Sequence, residues 1–229
     1  MRASRTVRVA VVDSGIHVHH PHIADRVTGG VAVDARGQEC SGNDGYVDRL
    51  GHGTAIAAAI LEKAPDAELH AVKVFDRTLS TTITGLVAGI DWAIRSGMHV
   101  VNLSLGTAKA EHEPLLTEVV SRARDRGVII VAARDDGGVR WLPGSLEGVL
   151  PVQLDEACPR DCYRVADVDG VAVFRASGFP RPIDGLPPER NLSGISFAVA
   201  NMTGFVARAL ASPAASASDE IEKWLTAHG

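Results

Sequence analysis

The chain has 229 residues, of which 45% are hydrophobic and 22% charged, and a formal net charge of −5. That length supports one large core, and no tandem repeat or low-complexity tract divides it, so a single domain over 1–229 is expected, with its core at about 7–211 and a tail at 212–229. The acidic balance without a basic stripe argues against nucleic acid as the main partner, and no apolar run approaches the length of a membrane span.

Val7 to Val12 is a continuous β-branched, apolar run, the pattern of a strand buried on both faces, and it ends in Asp13-Ser14-Gly15. The start, MRASRTVRVAVVDSG, enters this strand without the long apolar core of a secretory signal, so a cytoplasmic setting is expected; removal of a leader would leave the same sequence. His17, His19, His20 and His22 then crowd a segment broken by Pro21, where a polar loop fits better than a metal site because no acid or thiol stands at ligand spacing. Gly30 to Leu50 reads as an excursion with short strands, and Gly51-His52-Gly53-Thr54 opens an apolar helix that Pro65 and Asp66 end.

Ala67 to Phe75 reads as the next strand, Thr82 to Ser96 as an amphipathic helix, and Val100 to Leu105 as a strand closing on Gly106. A helix over Pro114 to Arg126 stops at Gly127, and Val128 to Ala133 is strand again, closing on Arg134-Asp135-Asp136. Val149 to Leu154 and Val171 to Arg175 are further strands, with the cysteine-containing stretch between them as a polar loop. A long helix runs from Ser196 to about Leu210, a linker follows, and Glu220 to Ala227 forms a short terminal helix. This alternation predicts an α/β fold in three layers, a mainly parallel sheet flanked by helices.

The cysteines Cys40, Cys158 and Cys162 cannot all pair within one chain, which suits a reducing compartment. Free thiols are the favoured reading, with a regulatory disulfide or half of a metal site in CPRDC as alternatives.

Three residues stand where chemistry is placed in such folds. Asp13 follows a strand, at the end of a parallel sheet where ligands bind, although Asp is also a common turn former. His52 starts a helix between glycines that let other segments approach its ring. Ser196 sits at a Gly-x-Ser turn into an Ala-rich helix, where unpartnered backbone N–H groups favour a developing oxyanion. In isolation Ser196 reads first as a helix N-cap, which is far commoner than a nucleophile.

Asp13, His52 and Ser196 follow the order Asp, His, Ser found in subtilisin. The segments VVDSGI, GHGTAIA and GISFA resemble the three signature segments of subtilisin-like serine proteases, and APDAELHAVKVFD, GLVAGIDWAIRSGMHVVNLSLG and WLPGSLEGVLPV resemble that family's connecting segments. The similarity runs discontinuously from about Val7 to Ala211. It implies that Ser196 attacks a carbonyl, His52 takes the proton and Asp13 orients the imidazole. By the same resemblance Leu103, Ser104, Leu105 and Gly106 pair with the substrate backbone, and Ala132, Ala133 and Arg134 border the first specificity pocket.

The chain departs from that family at several places, the least consequential being Ala200, where a proline is common after the serine. Asp135 stands at the oxyanion-donor position usually held by Asn, with Arg134 in place of glycine, and Ile195 replaces a hydroxyl residue before Ser196. An ionised carboxylate repels a developing oxyanion, and loss of such a donor typically costs on the order of 100 to 1000-fold in turnover. The absence of a recognisable propeptide and of the insertion that holds calcium in secreted members implies no cofactor, no metal and an intracellular enzyme. The expected partner is a peptide or precursor protein from a narrow set. A peptide-binding pseudoprotease is the rival reading, with an esterase or peptide ligase as a lesser one. For Arg134, a guanidinium in the pocket implies Asp or Glu before the cleaved bond; one turned outward to Asp135 or Asp136 implies a pocket for small residues.

Overall fold

The computed structural model describes residues 6–40, 45–212 and 220–229. The strands β1 (Arg8–Asp13), β2 (Val27–Val33), β3 (Glu39–Cys40), β4 (Glu68–Lys73), β5 (Val100–Leu103) and β6 (Ile129–Ala133) come first; a small hairpin of β7 (Asp135–Asp136) and β8 (Val139–Arg140) follows, then β9 (Val149–Leu154), β10 (Tyr163–Val168) and β11 (Val171–Ala176). The helices are α1 (His52–Lys63), α2 (Ile83–Arg95), α3 (Glu113–Asp125), α4 (Ile195–Ala211) and α5 (Ile221–Ala227).

Nine strands form one sheet in the order β10-β11-β9-β6-β5-β1-β4-β2-β3. It is parallel except at its two edges, where β10 and β3 run antiparallel to their neighbours. One core packs α1, α4 and α5 against one face, and a second packs α2 and α3 against the other, which gives the three layers expected from the alternation. The apolar run of β1 is buried because both faces of the strand are covered. Helix α4 is hydrophobic all round for a related reason: it lies between α1 and the sheet, with Phe197 and Phe205 almost fully buried.

β1 has β4 on one side and β5 on the other, so successive crossovers leave it in opposite directions. Such a reversal opens a crevice at the carboxyl ends of the strands. Asp13 ends β1 at that crevice, and Ser104 to Gly106 follow β5 there.

Two expectations needed correction. The excursion expected from Gly30 onward does hold short strands, but the first begins earlier, as Val27–Val33, and lies inside the sheet parallel to β4. A side chain at Gly30 would meet the Ala71 carbonyl at 2.4 Å and the Tyr46 ring at 2.9 Å, so close approach of its neighbours requires glycine. Tyr163–Val168, expected as loop, is an edge strand whose Tyr163 packs on Phe174 and Phe205. Most of the linker after α4 lies outside the described residues.

Candidate active site

Asp13 is completely buried, and its carboxylate accepts bonds from Ser14 N at 2.7 Å and from His52 Nδ1 at 2.8 and 3.0 Å. An ionised carboxylate only accepts, so the Nδ1 proton lies between the two groups and Nε2 is left as the acceptor. Gly53 permits this approach: a Cβ there would stand 2.2 Å from the Gly15 carbonyl.

A second acid supports the first. The Asp48 carboxylate takes five donors: Ser14 Oγ, Leu50 N, Gly51 N, Thr54 N and Thr54 Oγ1, at 2.6 to 2.9 Å. Ser14 Oγ in turn accepts from Gly53 N. Asp48 therefore satisfies orphan N–H groups at the start of α1 and ties them to the end of β1, fixing His52 over Asp13. Burial alone pushes the Asp48 carboxyl up, but the bonds from Thr54, Leu50 and Ser14 outweigh it and hold the carboxyl below its usual range. For His52, burial pushes the imidazole down most strongly, yet the hydrogen bond and charge of Asp13, with the charge of Asp48 behind them, leave it above its ordinary value.

Ser196 is the second residue of α4. Gly194 precedes the helix at φ +136°, a conformation open to glycine, which turns the chain sharply beneath the serine. The first N–H with a backbone partner is that of Phe197, so among the described residues Ser196 N–H has none and faces out from the helix start. A partly buried chain of hydrogen bonds holds this end against β5: Thr203 Oγ1 to Asn102, Asn102 Nδ2 to Ser104 Oγ, and Ser104 Oγ to the Ser196 carbonyl. Ser196 Oγ itself donates to the Ser104 carbonyl at 3.3 Å.

His52 and Ser196 line one cavity of about 230 Å³ with Ser104, Leu105, Gly106 and Ala133. Leu103 and Ala132, expected beside them, lie one residue too deep: Leu103 is enclosed by β1 and β6, and Ala132 by β5 and β9. Their backbones are paired within the sheet, and on the β5 side the cavity's lining begins at Ser104.

Arg134 and Asp135 also stand apart from that cavity's lining. The Arg134 guanidinium lies 3.8 Å from Asp135 and 3.9 Å from Asp169 and donates to the Val168 carbonyl, which is the outward alternative. Asp135 accepts two bonds from Gln153 Nε2. Trp141 lines that cavity, and among the described residues its buried indole N–H has no hydrogen-bond partner. Sequence reading gave Trp141, Asp48 and Ser14 no role of their own: the WLPG segment held the first and VVDSGI the last, while nothing local marks Asp48.

A sequence profile of the subtilase family matches residues 4–148, more than half of the chain. The chain belongs to the subtilase family. The match contains Asp13 and His52 and ends before Ser196. A thermostable alkaline protease of Halalkalibacterium halodurans is 36% identical over 156 residues, covering 63% of this chain and 40% of that protein. Subtilisin Savinase of Lederbergia lenta is 37% identical over 141 residues, 58% of this chain and 48% of the relative. The chain thus spans less than half the length of these relatives. A cold-adapted subtilisin-like serine proteinase of known structure superposes over 99% of this chain and 83% of its own, with a TM-score of 0.75 and 20% identity, so the subtilase fold extends across the α4 region as well.

Among the described residues no group of three or more His, Cys, Asp or Glu could hold a metal, and no helix is long and apolar enough to cross a membrane. The cysteines are free; Cys158 and Cys162 stand 4.0 Å apart, and burial, then Cys162, pushes the Cys158 thiol up to about 11.

Proposed function

We propose that this subtilase is a serine endopeptidase in which Asp13, His52 and Ser196 act as the catalytic triad, working inside the cell on a narrow set of peptides or precursor proteins. The observation that carries the reading is the 2.8 Å bond from His52 Nδ1 to buried Asp13, made at the cavity that His52 shares with Ser196. In the reaction Ser196 Oγ attacks the carbonyl carbon while His52 Nε2 takes the hydroxyl proton, and Asp13 stabilises the imidazolium. The imidazolium then protonates the leaving amine as the C–N bond breaks. Water, deprotonated by the same nitrogen, hydrolyses the acyl-enzyme. The Ser196 N–H is the oxyanion donor that this chain retains. The bond from Ser196 Oγ to Ser104 is a resting arrangement, since catalytic bonds often form only around substrate.

The narrow substrate range rests on the acid at position 135 and on the indole in the pocket wall; the intracellular setting rests on three free thiols. The pseudoprotease alternative draws on one observation, the replacement of the Asn donor by an acid bonded to Gln153. Incubation with a fluorophosphonate followed by mass spectrometry decides between them. A single adduct at Ser196, absent in Ser196→Ala, is the expected result; folded protein that stays unlabelled over hours overturns the endopeptidase reading.

A further inference from the structure

A second cavity, of about 500 Å³, flanks the first. Gly51 lines it where His52 lines the other, and Leu192 lines it where Ile195 and Ser196 line the other. The two cavities share no lining residue, and Gly51 and Leu192 bring the second one up to the chain segments that carry His52 and Ser196. On the endopeptidase reading Ser104, Gly106 and Ala133 take the residues before the cleaved bond, which leaves the second cavity for those that follow it.

The lining of this second cavity carries three arginines, Arg49, Arg181 and Arg190, against one acid, Asp48, on a chain of net charge −5. His17, His20 and His22 of the loop after β1 face Arg181 and Arg190 of the loop before α4, with Arg49 at the rim. Arg49 has Asp76 as a partner, but among the described residues neither the Arg181 nor the Arg190 guanidinium has an ion pair or a hydrogen bond. The acids within reach are mostly committed: Asp48 to its five donors and Glu62 to Lys63 and Arg160, leaving Asp184 near His22. Ile183, Leu186 and Leu192 supply apolar wall, which strengthens attraction between an arginine fork and a carboxylate.

We infer that this cavity binds the part of the substrate that follows the cleaved bond and selects acidic side chains, Asp or Glu, in its first few positions. The inference deepens the endopeptidase reading and rests on it for the direction of the chain. The histidines supply further donors, and phosphate is disfavoured by the apolar part of the lining, which suits a peptide.

The test uses the full chain with Ser196→Ala, so that binding is read without turnover. Fluorescence anisotropy compares C-terminally amidated peptides that carry small residues before the cleavage position and either Glu-Glu or Gln-Gln after it; amidation removes the terminal carboxylate as a source of charge. The acidic peptide should bind at least ten-fold tighter, and Arg181→Gln combined with Arg190→Gln should abolish the difference. Equal affinities, no binding of the acidic peptide up to millimolar, or a preference that survives both substitutions overturns the inference. In the Ser196 protein, the double variant should lower kcat/KM for the acidic peptide by ten-fold or more while leaving a short ester with no residue after the cleaved bond unaffected. Selective binding without fluorophosphonate labelling would sink the endopeptidase reading and leave the acidic site standing.

Discussion

Gln153 Nε2 donates to both carboxylate oxygens of Asp135, at 2.9 and 3.0 Å, while Gln153 Oε1 accepts from Arg175 Nε at 3.0 Å. The acid that occupies the oxyanion-donor position in sequence is thus held to the sheet at β9, away from the cavity of Ser196. Asp135→Asn alone leaves the new amide with the same partner, so turnover should change by less than about three-fold. With Gln153→Ala added, the amide is released to donate and turnover should rise roughly ten-fold or more. Steady-state kinetics on one good peptide checks both; a gain from Asp135→Asn alone would show that the Gln153 bond does not hold the side chain.

The pH profile should report His52. The imidazole must be neutral to accept the Ser196 proton, and its raised value places the rising limb of kcat/KM above the ordinary histidine value of about 6.5. Asp13→Asn removes the bond and charge that raise it, so the limb should move to lower pH while the plateau falls on the order of 1000-fold or more. The stabilising contribution of the Asp13–His52 pair has the sign of a raised group: full below the unfolded histidine value, and lost as pH rises through the folded one. A limb that stays in place in Asp13→Asn would separate the profile from His52.

Trp141 should set the residue accepted before the cleaved bond. With Gly106 and Ala133 on the same cavity, an indole leaves room for small side chains such as Gly or Ala. Trp141→Ala should raise kcat/KM for Leu or Phe relative to Ala at that position by at least ten-fold. Peptide-library profiling of both proteins tests this, and a Leu or Phe preference in the unmodified protein would contradict it.

Asp48 is predicted to stabilise the chain and to position His52. Asp48→Asn leaves the Thr54 donors facing an amide, a loss of about 1–3 kcal/mol by denaturant titration at neutral pH. Its lowered carboxyl contributes stability above the unfolded Asp value of about 3.9, and that contribution disappears as pH falls through the lower folded value. The difference between the unmodified protein and Asp48→Asn should therefore narrow in acid. Because Asp48 also helps to raise His52, the rising limb should shift slightly to lower pH, a change that loss of folding stability alone would not produce.

The sequence by itself determined the alternation of strands and helices, the three layers, and the placing of Asp13, His52 and Ser196 at element ends. These features are local: a strand covered on both faces must be apolar along its length, and a sharp turn into α4 requires Gly194. Tertiary structure decided what depends on distant partners. Tyr163–Val168 becomes a strand through β11 and the core beneath Tyr163, and the Gly29-Gly30 pair is tolerated because β4 and Tyr46 press against it. The directions of Arg134 and Asp135 follow from Asp169 on one hairpin and Gln153 on a neighbouring strand, not from their own sequence. Asp48 gathers donors from two segments, and the cationic cavity joins loops about 160 residues apart in the chain, so neither leaves a periodicity or spacing to be read.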